Sequence, residues 1–185
     1  NYFEVLQREL FKSEKKDIYV PIIVGQDGKV WSPNRAGFLK NKLVKNNFSC
    51  ITNKNFNAIN SCTAARLRVY DNYRYDERLF LDQVDHKFYF DERQANRNFG
   101  IIDVKIIQNF SQRTNKVNIN DIYTRLRIRF KDIIIYGSIR GRSYKLLALV
   151  KCIGISIELG IRSKSVSLGM KGVKLAFNYY LTERA

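Results

Sequence analysis

The chain has 185 residues and a formal net charge of +16, with 33 Lys and Arg against 17 Asp and Glu. Its hydrophobic content of 45% and aromatic content of 13% exclude a disordered polyelectrolyte, and no apolar run reaches the roughly 20 residues of a membrane-spanning helix. Because so much like charge repels itself, a polyanionic partner is expected, and nucleic acid is favoured.

The N-terminal region begins with a predicted helix and a β-hairpin. Residues Tyr2–Phe11 place apolar side chains at helical spacing. Ile18–Val24 has the composition of a strand, and Gly25–Gly28 supplies a turn before a second strand at Lys29–Trp31. Pro21 predicts that the first strand lies at a sheet edge, because proline cannot donate a ladder hydrogen bond.

The next stretch combines a predicted cationic helix, a loop and a cationic strand. Arg35–Lys45 has cations on one side and apolar residues on the other, which predicts a helix. Asn46–Ser61 is polar and aperiodic, which predicts a long surface loop. Arg66–Tyr70 alternates cationic and apolar residues, which predicts a strand with one cationic face.

Tyrosines and arginines interleave from Arg66 to Arg78. Flat rings can stack on unpaired bases while guanidinium groups pair with phosphates. Arg66, Arg68 and Arg74 are therefore candidate RNA contacts. The alternative is a solvated edge with the aromatic rings packed beneath it.

Two further strand predictions precede the C-terminal region. Leu79–Leu81 and Lys87–Phe90 are expected to form a hairpin, and Ile101–Phe110 is expected to be a buried strand. The polar stretch Ser111–Lys116 is expected to mark a domain boundary.

No residue pattern predicts catalysis or a metal site. His86 is the only histidine, and Cys50, Cys62 and Cys152 form no CxxC pair, so neither a zinc site nor a disulfide framework is indicated. The carboxylates of Asp82, Asp85, Asp91 and Glu92 have no recognised metal-ligand spacing, although a metal-dependent nuclease or RNA-processing factor is the enzyme alternative that they leave open. We expect a protein that is not an enzyme, with no cofactor and no small-molecule substrate.

The C-terminal third carries the densest positive charge and a strand-like pattern. From Lys116 onward, 14 Lys and Arg stand against 4 Asp and Glu, a net charge of +10. In Val117–Phe130, Arg125, Arg127 and Arg129 alternate with apolar residues, which predicts a strand with three guanidinium groups on one face. Later short apolar segments separated by glycines predict further strands, and together they predict a small barrel.

The C-terminal third resembles the bacterial-type large-subunit ribosomal protein nineteen. The residues that carry this resemblance are the alternating cationic segment Asn120–Ile128, the turn Arg140-Gly141, the pair Val150-Lys151, the step Gly154–Glu158 and the tail Lys174–Arg184. The resemblance implies an SH3-like barrel and a role in binding large-subunit rRNA.

These observations predict a mainly β chain, α+β overall, with a mixed α/β extension over residues 1–115 and an SH3-like barrel over residues 116–185. The expected function is a structural constituent of the large subunit of an organellar ribosome. The expected location is the mitochondrial matrix, with plastid or cytoplasm as alternatives. Expected partners are large-subunit rRNA and neighbouring ribosomal proteins, and a free-standing RNA-binding adaptor is a further alternative. The expected RNA contacts are Arg125, Arg127, Arg129, Arg140, Arg142, Lys145, Arg162, Lys171 and Lys174, together with Arg66, Arg68 and Arg74.

Overall fold

The structure is a computed structural model that describes residues 1–12, 14–37, 41–45, 47–110 and 119–183. The chain divides into two compact units, which are described separately. Unit 1 comprises Asn1–Tyr75 and Asp85–Arg113, and unit 2 comprises Asp76–Val84 and Thr114–Ala185. The predicted boundary at Ser111–Lys116 lies outside the described residues. Among the described residues, no helix is both long enough and apolar enough to cross a bilayer.

Unit 1 is a small sheet with helices. In chain order its elements are α1 (Tyr2–Leu10), β1 (Ile18–Gly25), β2 (Val30–Ser32), β3 (Asn34–Arg35), β4 (Phe56–Asn57), β5 (Ala64–Ala65), a 3-10 helix (Leu67–Val69), the greater part of α2 (Asp82–Gln94) and β6 (Phe99–Gln108). The predicted first helix and the β1–β2 hairpin are confirmed. The strand predicted at Ile101–Phe110 is confirmed as β6, but only Phe99 and Ile102 of β6 are buried, so the expected burial was wrong.

Strand β1 lies in the middle of the sheet, so the prediction of an edge position was wrong. It pairs with β6 in parallel along its whole length, and on its other side it pairs with β5 at Ile18 and with β2 at Ile23. Pro21 falls between those two short antiparallel pairings. A central strand can therefore hold a proline here, because no neighbouring strand pairs with that side of residue 21.

Three other predictions for unit 1 were wrong. Arg35 is in β3, and its backbone exchanges two hydrogen bonds with Lys42 in place of a helix, while the predicted helical residues Phe38–Lys40 lie outside the described residues. The predicted loop Asn46–Ser61 contains β4 and sends Phe56 into the core. The predicted strand at Arg66–Tyr70 is a 3-10 turn, because the Arg66 N–H donates to the Asp17 carbonyl and starts the turn.

The core of unit 1 is aromatic. Phe56 stacks on Phe99 with ring centroids 4.5 Å apart, and Phe88 and Tyr89 pack beside them. Phe88 and Tyr89 belong to α2, where a hairpin was predicted at Leu79–Phe90. A helix forms here because consecutive turns bury Phe88, Tyr89 and Glu92 on one side, and a strand cannot bury residues at this spacing.

Unit 2 contains the helices α3 (Ile119–Ile139), α4 (Arg142–Arg162) and α5 (Val166–Thr182), so the predicted SH3-like barrel was wrong. The chain as a whole is α+β, and the mainly β prediction was wrong as well. The described part of residues 116–185 forms no strand. Among the buried residues of α3, Leu126, Phe130, Ile133, Ile134 and Gly137 recur at the period of a helix, and Asp132 and Ile135 are buried beside them.

Gly137 and Gly172 lie at helix contacts and not in barrel turns, whereas Gly141, with a φ angle of 114°, lies in the turn between α3 and α4. A Cβ atom added to Gly137 would lie 2.7 Å from the Ala148 Cβ, and one added to Gly172 would lie 2.6 Å from the Ser156 Oγ. These close approaches let α4 pack against both neighbouring helices. The Asp132 carboxylate accepts hydrogen bonds from the backbone N–H groups of Phe80 and Leu81, which fixes the segment Asp76–Val84 on α3.

Candidate nucleic-acid interface

The three predicted RNA contacts of unit 1 bind acceptors within their own unit. The Arg66 Nε donates to the Lys16 carbonyl at 2.9 Å. Arg68 forms an ion pair with Asp17 at 2.6 Å, and the Arg74 Nη1 donates to the carbonyls of Tyr70 and Tyr73 at 2.9 and 2.7 Å. These guanidinium groups therefore hold the turns of unit 1 in place.

The tyrosines between these arginines pack on Phe88. The ring centroids of Tyr73 and Tyr75 lie 5.2 and 5.8 Å from that of Phe88, and Tyr70 stacks on the same ring at 6.1 Å. Burial raises the pKa of Tyr75, and a hydrogen bond with Tyr70 adds to the rise. The rings thus pack on the core, as the alternative expects, while Tyr70 and Tyr75 remain 37% and 44% exposed.

Two buried carboxylates of unit 1 face arginines: Asp17 pairs with Arg68, and Glu92 lies beside Arg97. Burial favours the protonated form of Asp17, but the Asn98 N–H at 3.0 Å and the Arg68 guanidinium outweigh it and lower the Asp17 pKa. Burial raises the pKa of Glu92, because Arg97 compensates only partly from 3.4 Å away. The surroundings of Asp17 thus favour its anionic form, whereas those of Glu92 favour its protonated form.

The arginines at 125, 127 and 129 do not share a face, contrary to the sequence prediction. On a helix, Arg125 and Arg129 are separated by four residues and lie on one side, while Arg127 lies on the opposite side. Arg127 shares its side with Lys131, and both are exposed. Each side therefore presents a pair of cations about 6 Å apart along the helix axis.

The side that holds Arg125 and Arg129 continues across α3 and α4. On α3 it includes Tyr136, and Arg140 follows in the turn directly after the helix, since the intervals of four, seven and four residues keep one helical side. On α4 the same intervals join Tyr144, Lys151, Glu158 and Arg162. We name these eight residues the α3–α4 cationic face. It carries five cations and one carboxylate, and Glu158 pairs with Arg162 at 2.7 Å.

Two observations connect the α3 and α4 rows. The Arg140 guanidinium lies 3.9 Å from the ring centroid of Tyr144 and 5.6 Å from that of Tyr136. Arg129 and Lys151 both act on the thiol of Cys152, which lies beneath them: burial raises its pKa to about 12 even though both cations lower it. The Cys152 thiol is thus kept neutral and buried, so the face is not a thiolate site.

The other predicted contacts of unit 2 lie elsewhere. The Lys145 amine sits 4.8 Å above the ring of Tyr180 and donates to the Glu183 carbonyl, so it joins α4 to the end of α5. Arg142, Lys171 and Lys174 are exposed and lie off the α3–α4 cationic face. Helical spacing thus assigns Arg125, Arg129, Arg140 and Arg162 to the α3–α4 cationic face and places the remaining predicted residues off it.

The sequence prediction missed Tyr136, Tyr144 and Lys151 as members of this face. Their spacing carried the signal, since each lies four or seven positions from another member on the same helix. A strand period placed these residues on separate short strands, which hid the common side.

The carboxylates of the alternative nuclease site have separate partners. The Asp85 Oδ2 accepts from the Asn60 N–H at 3.2 Å, Asp91 binds the Lys87 amine at 2.5 Å and Glu92 faces Arg97. The His86 Nδ1 lies 3.1 Å from the Asn41 Nδ2. Among the residues whose side chains are described, which exclude the Asp82 side chain, no group of three potential metal ligands converges.

Comparisons with known proteins add no family to these observations. The chain matches no protein-family model, no curated protein sequence and no solved structure.

Proposed function

We propose that this chain is an RNA-binding structural protein of a ribonucleoprotein particle. The observation that carries the proposal is the α3–α4 cationic face, where five cations and two tyrosines line one side of two packed helices. The net charge of +16 supports it, since such a charge favours a polyanionic partner.

The mechanism is electrostatic. Arg125, Arg129 and Lys151 neutralise phosphates, and each phosphate contact releases counterions, so affinity falls steeply with salt. The Arg140 guanidinium contacts the rings of Tyr144 and Tyr136, which orient it within the face. Phosphate contacts position a protein on RNA without reading its sequence, which suits a structural component.

A matched pair of variants on α3 tests the face. Replacing Arg125 and Arg129 by Gln should weaken binding to a structured RNA at least tenfold in about 100 mM salt and lower the salt slope by about 2, since each lost phosphate contact removes about one unit. Replacing Arg127 and Lys131 by Gln removes the same charge from the opposite side and should change affinity less than threefold. Fluorescence anisotropy over a salt series measures both, and equal losses in the two variants would reject the face.

The particle that we propose is the large subunit of an organellar ribosome, that of the mitochondrion, where the chain would contact rRNA and neighbouring proteins. This part of the proposal rests on the order of the sequence motifs from Asn120 to Arg184 and not on the fold, because those motifs lie on helices.

Sedimentation of the native protein tests the choice of particle. A ribosomal protein should co-migrate with large subunits from isolated mitochondria after a high-salt wash, and the Gln variant of Arg125 and Arg129 should fail to incorporate. A protein that stays at the top of the gradient but still binds RNA would be a free-standing adaptor.

A further inference from the structure

Two rows of large apolar side chains are exposed on the helices α4 and α5. Their exposed fractions range from 45% for Phe177 to 78% for Val166. Apolar side chains so regularly spaced on a helix surface usually mark an interaction site. The rows consist of Leu146, Val150, Ile157 and Ile161 on α4 and of Val166, Met170, Phe177 and Leu181 on α5.

The contact between α4 and α5 fixes how the rows lie. A Cβ atom added to Gly160 would lie 3.2 Å from the Gly169 Cα, and the Ser156 side chain fills the space above Gly172. At the other end, the Lys145 amine lies over the Tyr180 ring. The two helices are therefore antiparallel and in contact along their length.

Members of both rows directly follow residues of this contact. Ile157 follows Ser156 and Ile161 follows Gly160, as Met170 follows Gly169. One residue turns a helix by about 100°. Each of these side chains therefore points about 100° away from the contact residue before it. Because the two helices run in opposite directions, this rotation points both rows toward the same side of the α4–α5 contact.

The two rows therefore border a groove, which we name the α4–α5 groove. Along α4 it runs from Leu146 to Ile161, a length of about 22 Å at 1.5 Å per residue. Gly160 and Gly169 contribute no side chains to its floor at one end. Two ridges with a groove between them complement the ridge of a third helix of about four turns.

The charges beside the groove indicate what kind of helix fits. Lys171 and Lys174 are exposed on the α5 side, whereas Glu158 and Arg162 pair with each other on the α4 side. A second copy of this chain would bring another charge of +16 against the groove, which is repulsive. The rows hold no Trp or Tyr, the residues that anchor proteins at a membrane surface.

We propose that the α4–α5 groove docks an amphipathic helix of a partner protein that carries acidic residues on the side facing α5. The inference does not depend on RNA binding, because the rows share no residue with the α3–α4 cationic face.

Synthetic helical peptides test the proposal on the full chain. One 18-residue peptide has leucines spaced to form a single stripe with glutamates beside it, and a second has lysines in place of the glutamates. The glutamate peptide should bind at least tenfold more tightly than the lysine peptide. Replacing Ile157 and Met170 by Gln should weaken it at least tenfold, and the control variant L67Q/I107Q, altered at two exposed apolar residues of unit 1, should bind normally.

Three outcomes would overturn the proposal. The first is a glutamate peptide that binds no better than the lysine peptide. The second is flotation of the full chain with phosphatidylserine vesicles that the I157Q/M170Q variant loses. The third is a dimer that the same variant loses. RNA affinity measured on the same variant should stay unchanged, so a failure of the groove is distinguishable from a failure of the proposed function.

Discussion

The two units use their arginines in different ways. In unit 1, Arg66 and Arg74 donate to main-chain carbonyls of turns, and Arg68 binds a buried carboxylate. In unit 2, Arg125 and Arg129 project from a helix whose carbonyls already accept hydrogen bonds from its own N–H groups. Irregular backbone thus uses guanidinium donors to stabilise the fold, whereas helical backbone does not need them. Counting cations does not distinguish the two cases.

The largest expected effect comes from removing the unit 1 arginines. Replacing Arg66, Arg68 and Arg74 by Gln should lower the free energy of unfolding by about 3 kcal/mol, since each loses a hydrogen-bonded acceptor worth about 1 kcal/mol. RNA affinity should change less than threefold in the folded variant. Urea denaturation and RNA anisotropy measure the two quantities. A tenfold loss of RNA binding with normal stability would remove the contrast between the units.

Glycines show a second contrast between the units. Gly28 in unit 1 has a φ angle of 72°, which the hairpin turn requires and which other residues adopt at a cost. In unit 2, Gly172 lies against Ser156, whereas Gly154 has no atom near the position of an added Cβ.

Replacing Gly172 by Ala should therefore destabilise unit 2 by about 2 kcal/mol, because the added methyl group overpacks the contact between α4 and α5. Replacing Gly154 by Ala should stabilise it by up to about 1 kcal/mol, because alanine favours the helix and meets nothing. Thermal unfolding of the two variants compares the same substitution at both sites. Stabilisation by both would mean that the close helix contact is absent.

Sequence patterns predicted unit 1 better than unit 2 for a physical reason. In β1 the β-branched run Ile18–Val24 and the following Gly25–Gly28 turn agree with each other and with the final pairing. In α3 the run Ile133–Ile135 favours a strand locally, but burial of residues 126, 130, 133, 134 and 137 requires the helical period. The sequence of α3 thus contains both a local strand pattern and a helical pattern of burial, and tertiary packing selects the helix.

The candidate site depended on the same choice of period. The prediction named Arg125, Arg129, Arg140 and Arg162 because they are cationic, and charge does not depend on secondary structure. It grouped Arg127 with Arg125 and Arg129, because a period of two places all three together. It omitted Lys151 and the two tyrosines, whose common side exists only on helices.

Asp17 tests whether the arginines of unit 1 serve its fold. Replacing Asp17 by Asn should cost about 1 to 2 kcal/mol, because the buried side chain loses its charge-assisted bonds with the Asn98 N–H and with the largely exposed Arg68. Asp103 is exposed on β6 and serves as the control. Its replacement by Asn should change the free energy of unfolding by no more than about 0.5 kcal/mol, as is usual for surface sites. Equal effects of the two substitutions would show that the Asp17 network contributes nothing.

The smallest expected effect is a pH dependence of opposite sign at Asp17 and Glu92. The Asp17 pKa lies below its ordinary value of 3.8, so its contribution to stability is present above that pH and is lost as pH falls through the folded-state pKa. The Glu92 pKa lies above its ordinary value of 4.5, so protonation of the folded state relieves a penalty and stability rises as pH falls toward 4.5.

Urea midpoints from pH 7 to about pH 3, taken as differences between the wild type and each variant, cancel the titration of the other carboxylates. The D17N difference should shrink below pH 3.8, whereas the E92Q difference should change mainly above pH 4.5. Two differences that change in the same direction would contradict the opposite environments of these carboxylates, since Arg68 and Asn98 favour the Asp17 anion while burial disfavours that of Glu92.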